Sequence, residues 1–160
     1  MIKIMKSPSA DSRSAKVPPT PEVLEQSTQM HINDVAQALI FISNQLNERG
    51  RIHDHTKMED INTFCNALNS GHIKDTEWYQ HHITDERHHL KSNVPNDVNL
   101  IDVIEHIVDC TMAGLARSGE IYDVDLSPDV LVLAVDNTVK LLKENTEIVT
   151  INNDIMKEEI

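Results

Sequence analysis

Aromatic residues are scarce in this chain: Phe, Tyr and Trp make up 3% of 160 residues, too few for a β-sandwich core, where aromatic and β-branched side chains fill the sheet faces. Glycine and proline are also few, four and six, and with 39% hydrophobic and 25% charged residues the profile is that of a globular helical protein. Cysteine is nearly absent. Cys65 and Cys110 form neither a CxxC pair nor a disulfide framework, which points to a reduced, cytoplasmic protein, and each lies in an apolar helical pattern where it reads as a small buried hydrophobe. Positive charge is short: 14 Lys and Arg against 26 Asp and Glu leave a net charge of −12. That argues against a protein whose task is to grip a nucleic-acid backbone, because such proteins need a Lys/Arg surplus to displace counterions. It does not exclude a phosphorylated small molecule, since a metal ion supplies local positive charge that side chains lack. No apolar run reaches the roughly 18 residues needed to span a bilayer, so no membrane partner is expected.

What is present is a series of helical patterns. Residues 1–26 contain Pro8, Pro18, Pro19 and Pro21, show no apolar period and read as a flexible N-terminal tail. From a cap at Ser27 or Thr28, the residues Val35, Ala36, Leu39, Ile40 and Leu46 keep the helical period until Gly50. After the polar break RIHDHTK, the residues Met58, Ile61, Cys65 and Leu68 predict a short second helix ended by Ser70-Gly71. Asp75 is the expected cap of a third helix that carries Trp78, Tyr79 and HHITDERHHL to the turn at Asn93–Asn96. Leu100 to Arg117 has a broad apolar face, through Ile101, Ile104, Ile107, Val108, Met112 and Leu115, that predicts a core helix stopped at Ser118-Gly119. Ser127-Pro128-Asp129 is a helix start, with Ser as cap and Pro at the first position, leading into Val130–Lys143. The chain is expected to fold as an all-α bundle of about five to six helices over residues 27–147, with 148–160 as a fraying C-terminal tail.

Nine histidines are many for this length, and they are clustered. His53-Asp54 stands between the first two helices, His81, His82, His88 and His89 share the third pattern, and Asp102, Glu105, His106 and Asp109 share the fourth. Imidazole and carboxylate together form the ligand set for divalent transition metals. Positions seven apart differ by only about 20° around a helix, so one continuous helix would align His81 with His88 and His82 with His89. Glu105 and Asp109, four apart, share a face. Taken singly, His55, His72 and His106 read as exposed or simply hydrogen-bonded.

The order along the chain, with a helical His31, then His53-Asp54, then the histidine cluster and then Asp109 on an apolar helix, resembles the HD superfamily of metal-dependent phosphohydrolases. The strings HDHTK, HHITDERHH and LIDVIEHIVDC are also similar to a small HD-like family of unknown function from bacteria and their phages. The resemblance runs roughly from His31 to Arg117 and leaves both tails outside it. It implies a single HD-like bundle in the cytoplasm of a bacterium or an infected host cell. It also implies that His31, His53, Asp54 and Asp109 are metal ligands, that His82 and either His88 or His89 bind a second ion, and that Asp54 bridges the two. The choice between His81 and His82 stays open, and His72 is an alternative, because two-metal relatives spread these histidines over separate elements. One or two ions of Mn, Fe, Co, Ni or Zn are the implied cofactor.

The implied activity is hydrolysis of a small phosphorylated substrate, with a nucleotide as the superfamily's suggestion, through a metal-activated water held at Asp54. Lys57 and Arg87 are positioned in sequence to hold a phosphate oxygen, with a surface salt bridge as the alternative for each. Two other functions fit the same residues: a di-iron oxygenase of the HD type, and a non-enzymatic partner-binding protein with a structural metal. The absence of a recognisable substrate-binding loop favours the last.

Overall fold

The computed structural model describes residues 1–6 and 20–149. Residues 7–19 of the expected N-terminal tail and 150–160 of the expected C-terminal one lie outside those residues. The described chain is mostly helical and divides into two compact units, Met1–Ser43 with Leu141–Ile160, and Asn44–Lys140. Among the described residues no helix is long and apolar enough to cross a membrane.

The first unit holds a feature without a sequence signal. Strand β1 (Ile2–Met5) pairs in parallel with β2 (Thr146–Val149), with Ile2 opposite Thr146 and Ile4 opposite Ile148. Both strands fall in or beside segments expected to be tails, because four residues are too short to display a period of two. Ile2 is buried, and the Lys3 backbone N–H donates to Gln37 Oε1 at 3.3 Å. Helix α1 (Pro21–Ile52) starts earlier than expected, with Pro21 at its first position, and passes through Gly50 rather than stopping there. It buries no residue, so Val35, Leu39 and Ile40, expected to face a core, are exposed.

In the second unit the polar break gives way to α2 (His55–Glu59), which ends at Asp60, and Asp60 in turn caps α3 (Ile61–Asn69) by accepting the Thr63 N–H. The expected second helix is therefore two, and its apolar stripe differs from the expectation as well. Met58, Ile61 and Leu68 are exposed, Cys65 is exposed and Cys110 half-buried, while Ala67 makes the buried contact. A 3₁₀ turn, Ile73–Asp75, precedes α4 (Glu77–Asp85), whose cap is Thr76 rather than Asp75. Helix α5 (Leu100–Ser118) opens on a capping box between Asn99 and Asp102 and closes on Gly119 in the left-handed region. Helix α6 (Pro128–Glu144) starts where Ser127 accepts the Val130 N–H.

The apolar core of this unit is small: Leu90, Val98, Val103 and Ala134, with Leu100, Leu126 and Val130 against them. Side chains from α6 fasten it. Asn137 Nδ2 donates to the Val98 carbonyl at 2.8 Å, and Thr138 Oγ1 accepts the Leu100 N–H at 2.8 Å. On α5 the buried residues are Ile101, Asp102, Val103, His106 and Gly114, whereas the stripe expected to be core, Ile104, Ile107, Val108, Met112 and Leu115, is exposed. Gly114 lies against the next loop, where a Cβ would come 2.4 Å from the Glu120 carbonyl. That loop is thereby pinned to α5.

Candidate metal centre

The centre is built on a helix start that does not cap itself. Asp54 is the N-cap of α2, yet its side chain makes no capping hydrogen bond, and its backbone sits at φ 57° and ψ 24°, in the left-handed region. A non-glycine residue there carries strain of order 1 kcal/mol that the surroundings must hold in place. What this conformation achieves is to turn the carboxylate inward. Its Oδ2 pairs with Lys57 Nζ and lies 3.6 Å from His53 Nε2. Its Oδ1 faces His82 Nε2 at 3.6 Å and His88 Nε2 at 3.7 Å, is buried, and receives no hydrogen bond.

The histidines reach this carboxylate by a route that helical spacing does not describe. Helix α4 ends at Asp85, so the alignment of positions seven apart fails in its premise. Glu86 leaves the helix because its buried carboxylate is claimed elsewhere: Oε1 accepts the Thr56 N–H at 3.0 Å and the Thr56 hydroxyl at 2.8 Å. The chain then turns back, and His89 Nε2 comes within 2.8 Å of His82 Nε2. The pair His82 and His89 thus converges as expected, by a turn instead of a helix. His81, one residue away, is exposed and pairs with Asp85, which resolves the choice of histidine entering the cluster in favour of His82. His72 is exposed. His88 and His89 are both part of the cluster.

The ring nitrogens are sorted by their partners. Thr56 has one hydroxyl hydrogen, which goes to Glu86, so the 2.6 Å contact between Thr56 Oγ1 and His82 Nδ1 is donated by the imidazole. His82 Nε2 is left as a lone pair aimed at the centre. Trp78 stacks on the same ring with centroids 4.9 Å apart and is itself stacked on Phe64. His53 repeats the pattern: Nδ1 lies 2.9 Å from Glu105 Oε1, and Nε2 lies 3.6 Å from Asp109 Oδ1. His88 Nδ1 is 3.2 Å from the same Glu105 oxygen, off the line that a hydrogen bond needs. Nδ1 held against a carboxylate or its relay, with Nε2 pointing inward, is the arrangement that orients metal-ligating histidines.

Charge follows this geometry. Hydrogen bonds to Asp109 and Glu105 raise His53 to about 10, and its bond to Asp109 holds that carboxyl at about 2. Burial pushes Glu105 upward, but the hydrogen bond from His53 and the close approach of the His88 ring outweigh it and keep the group at about 2. Burial pushes His89 down to about 4, helped by the neighbouring His88 and His82, and burial followed by Lys57 lowers His82. At neutral pH the metal-free cluster therefore holds neutral His82 and His89 and a protonated His53 beside ionised Asp109 and Glu105, so a cation at His53 would have to displace its proton.

Among the described residues, three groups bring ligand atoms within 4.8 Å of one another: Asp54 with His88 and His89, Asp54 with His82 and Glu86, and His53 with His88 and Glu105. Of the expected ligands, His53, Asp54, His82, His88 and His89 belong to these groups, and Asp109 stands against His53. His31 lies in the first unit, exposed on α1, and is in none of the groups. Glu86, Glu105 and Thr56 are the partners that sequence reasoning missed. Only Glu105 gave a signal, through its shared face with Asp109.

The two expected phosphate-holding cations have different fates. Lys57 sits at the centre on Asp54. Arg87 does not: its Nε and Nη2 each donate to the fully buried Asp102 at 2.8 Å and its Nη1 donates to Asp97 at 3.0 Å. The fork is thus committed to the fold, in an ion pair with a buried carboxylate where the alternative expected was a surface salt bridge. His106 is buried and bonded to backbone, with Nδ1 2.8 Å from the His88 carbonyl and Nε2 2.9 Å from that of Val124. Compared with known proteins, the chain matches no family, no curated protein and no solved structure.

Proposed function

We propose that the chain is a metal-dependent phosphohydrolase acting on a small phosphate monoester. The observation that carries this reading is the buried Asp54 Oδ1, which lacks a hydrogen-bond donor and is faced by the Nε2 atoms of His82 and His88. Buried polar atoms are nearly always satisfied, and an oxygen surrounded by ring nitrogens, one of them a lone pair, is explained by a cation that all of them share. Asp54, His82, His88 and His89 would hold one divalent ion, and His53, on giving up its proton, would serve a second with Asp109. Such an ion supplies Lewis acidity and brings the pKa of a bound water toward neutrality.

The side chains have separable tasks. Thr56 and Glu86 hold the Nδ1 proton of His82, and Glu105 does the same for His53. Lys57 is the cation available to a non-bridging phosphate oxygen, since Arg87 is engaged with Asp102. Water adds to phosphorus as the ester P–O bond breaks, giving inorganic phosphate and an alcohol. The side chains of His53 and Asp109 keep 29% and 31% of their surface exposed, and a site open on one side suits catalysis better than a closed structural site.

The test is phosphate release from a panel of monoesters, nucleotides included, with added Mn, Co, Ni or Fe. Release is expected to depend on metal, to stop with chelator and to be lost in Asp54→Ala. Release that survives both chelation and Asp54→Ala would overturn the reading.

A further inference from the structure

We propose that the organic part of the substrate is aliphatic and lies in the cleft between the end of α1 and the middle of α5; this rests on the phosphohydrolase reading above. The cleft encloses about 350 Å³ and is lined at one end by His53, Glu105 and Asp109, the groups just described. Leu46 from α1 and Ile104, Val108 and Met112 from α5 form its walls. These are the residues whose exposure departs from the expected core helix: Ile104, Val108 and Met112 are 40%, 51% and 55% exposed. The same α5 turns therefore carry both the polar end and the apolar walls, which makes the cleft continuous with the proposed site.

The lining distinguishes between substrate bodies. Its walls carry no aromatic ring on which a base can stack and no side chain that can donate to or accept from a base edge or a ribose hydroxyl, the His53 imidazole and the Arg49 guanidinium lying at the phosphate end. A nucleoside placed there would bury polar atoms without partners. An alkyl body meets matching walls along its length. Arg49 lies at the boundary, 4.0 Å from Glu105 Oε2 and 3.6 Å from Asp102 Oδ1, where it adds positive charge near the phosphate end.

Gly50 is the independent sign. It lines the cleft within α1, where glycine is a poorer helix former than alanine, and a Cβ there would meet nothing within 4 Å. The fold has no steric need for glycine at this position. Leaving that side of the cleft open does.

The experiment uses the full chain loaded with metal, an n-alkyl phosphate series from methyl to hexyl, nucleoside monophosphates for comparison, and calorimetric binding of the non-hydrolysable n-alkyl phosphonates. We expect kcat/KM to rise about fourfold per methylene, the equivalent of about 0.8 kcal/mol, with hexyl phosphate ahead of the nucleotides. The hexyl-to-methyl ratio is expected to collapse in Gly50→Leu and in Val108→Asn. Release of phosphate without dependence on chain length, or with nucleotides as the best substrates, would overturn the aliphatic cleft and leave phosphohydrolysis standing. Phosphonate binding that strengthens with chain length, without phosphate release from any ester, would support the cleft and remove the hydrolytic reading. No release and no binding would remove both.

Discussion

Asp102 and Asp54 are two inward-facing carboxylates of the same unit with opposite surroundings. Asp102 is fully buried and fully used: Arg87 donates to both oxygens at 2.8 Å, and the Asn99 N–H adds a 3.0 Å bond. Asp54 has Lys57 on one oxygen, while the other is buried among imidazole nitrogens with no donor. Burial alone does not mark a ligand. A carboxylate whose every lone pair is met is part of the scaffold, whereas an orphaned one held in a strained backbone is free to take a ligand from outside the chain.

The largest expected effect comes from breaking the satisfied member of the comparison. Arg87→Ala removes both 2.8 Å donors of the buried Asp102 and leaves it Arg49 at 3.6 Å and the Asn99 N–H, at a cost of up to about 3–5 kcal/mol, read as a large fall in Tm of the metal-free protein. Asp54→Asn keeps a residue that tolerates the left-handed backbone and should change metal-free stability by no more than about 1 kcal/mol. Similar losses in the two variants would erase the distinction.

An intermediate effect is expected at Thr56. Thr56→Val removes the hydroxyl that takes the His82 Nδ1 proton, and metal affinity should fall about 10–100-fold with helix content unchanged and with recovery in Thr56→Ser. Wild-type affinity in the valine variant would mean that the ring is oriented by Trp78 stacking alone.

A gradual effect belongs to pH. His53 is raised from 6.5 to about 10, so its contribution to the stability of the metal-free fold is complete below pH 6.5 and is lost as pH climbs toward 10. His89 is lowered from 6.5 to about 4, so the unfolded chain binds the extra proton and stability falls as pH drops through that window. Tm measured with chelator should decline on both sides, and His53→Gln should flatten the alkaline side only. An unchanged alkaline slope in that variant would place the titration elsewhere. The smallest effect is expected at His81, which is exposed beside the buried His82: His81→Ala should move Tm and metal affinity within error, because surface changes stay within about 0.5 kcal/mol.

Local signals were legible where they were strong. Ser127-Pro128 and Ser118-Gly119 marked the start of α6 and the end of α5 because caps act within a few residues. The end of α4 was not legible, because what draws Glu86 off the helix is Thr56, 30 residues away. The exposed α5 stripe misled for a related reason. Periodicity reports an apolar face, not whether that face packs into a core or lines a cleft. At the site, the HD doublet and the histidine cluster carried residue types suited to metal, while Glu86 and Glu105 gave little sign, since a carboxylate that orients a histidine has no required spacing from it. The β1–β2 pair joins segments about 140 positions apart in register, a distance over which no short-range pattern acts.

The most direct test of the metal centre is the metal content of the gently purified chain by inductively coupled plasma mass spectrometry, followed by titration after chelation, with Asp54→Ala alongside. A stoichiometric divalent transition ion in the wild type, lost in the variant, is the predicted result. No bound ion and none taken up on titration with Mn, Fe, Co, Ni or Zn, or equal content in Asp54→Ala, would contradict it and leave the histidine cluster as structure.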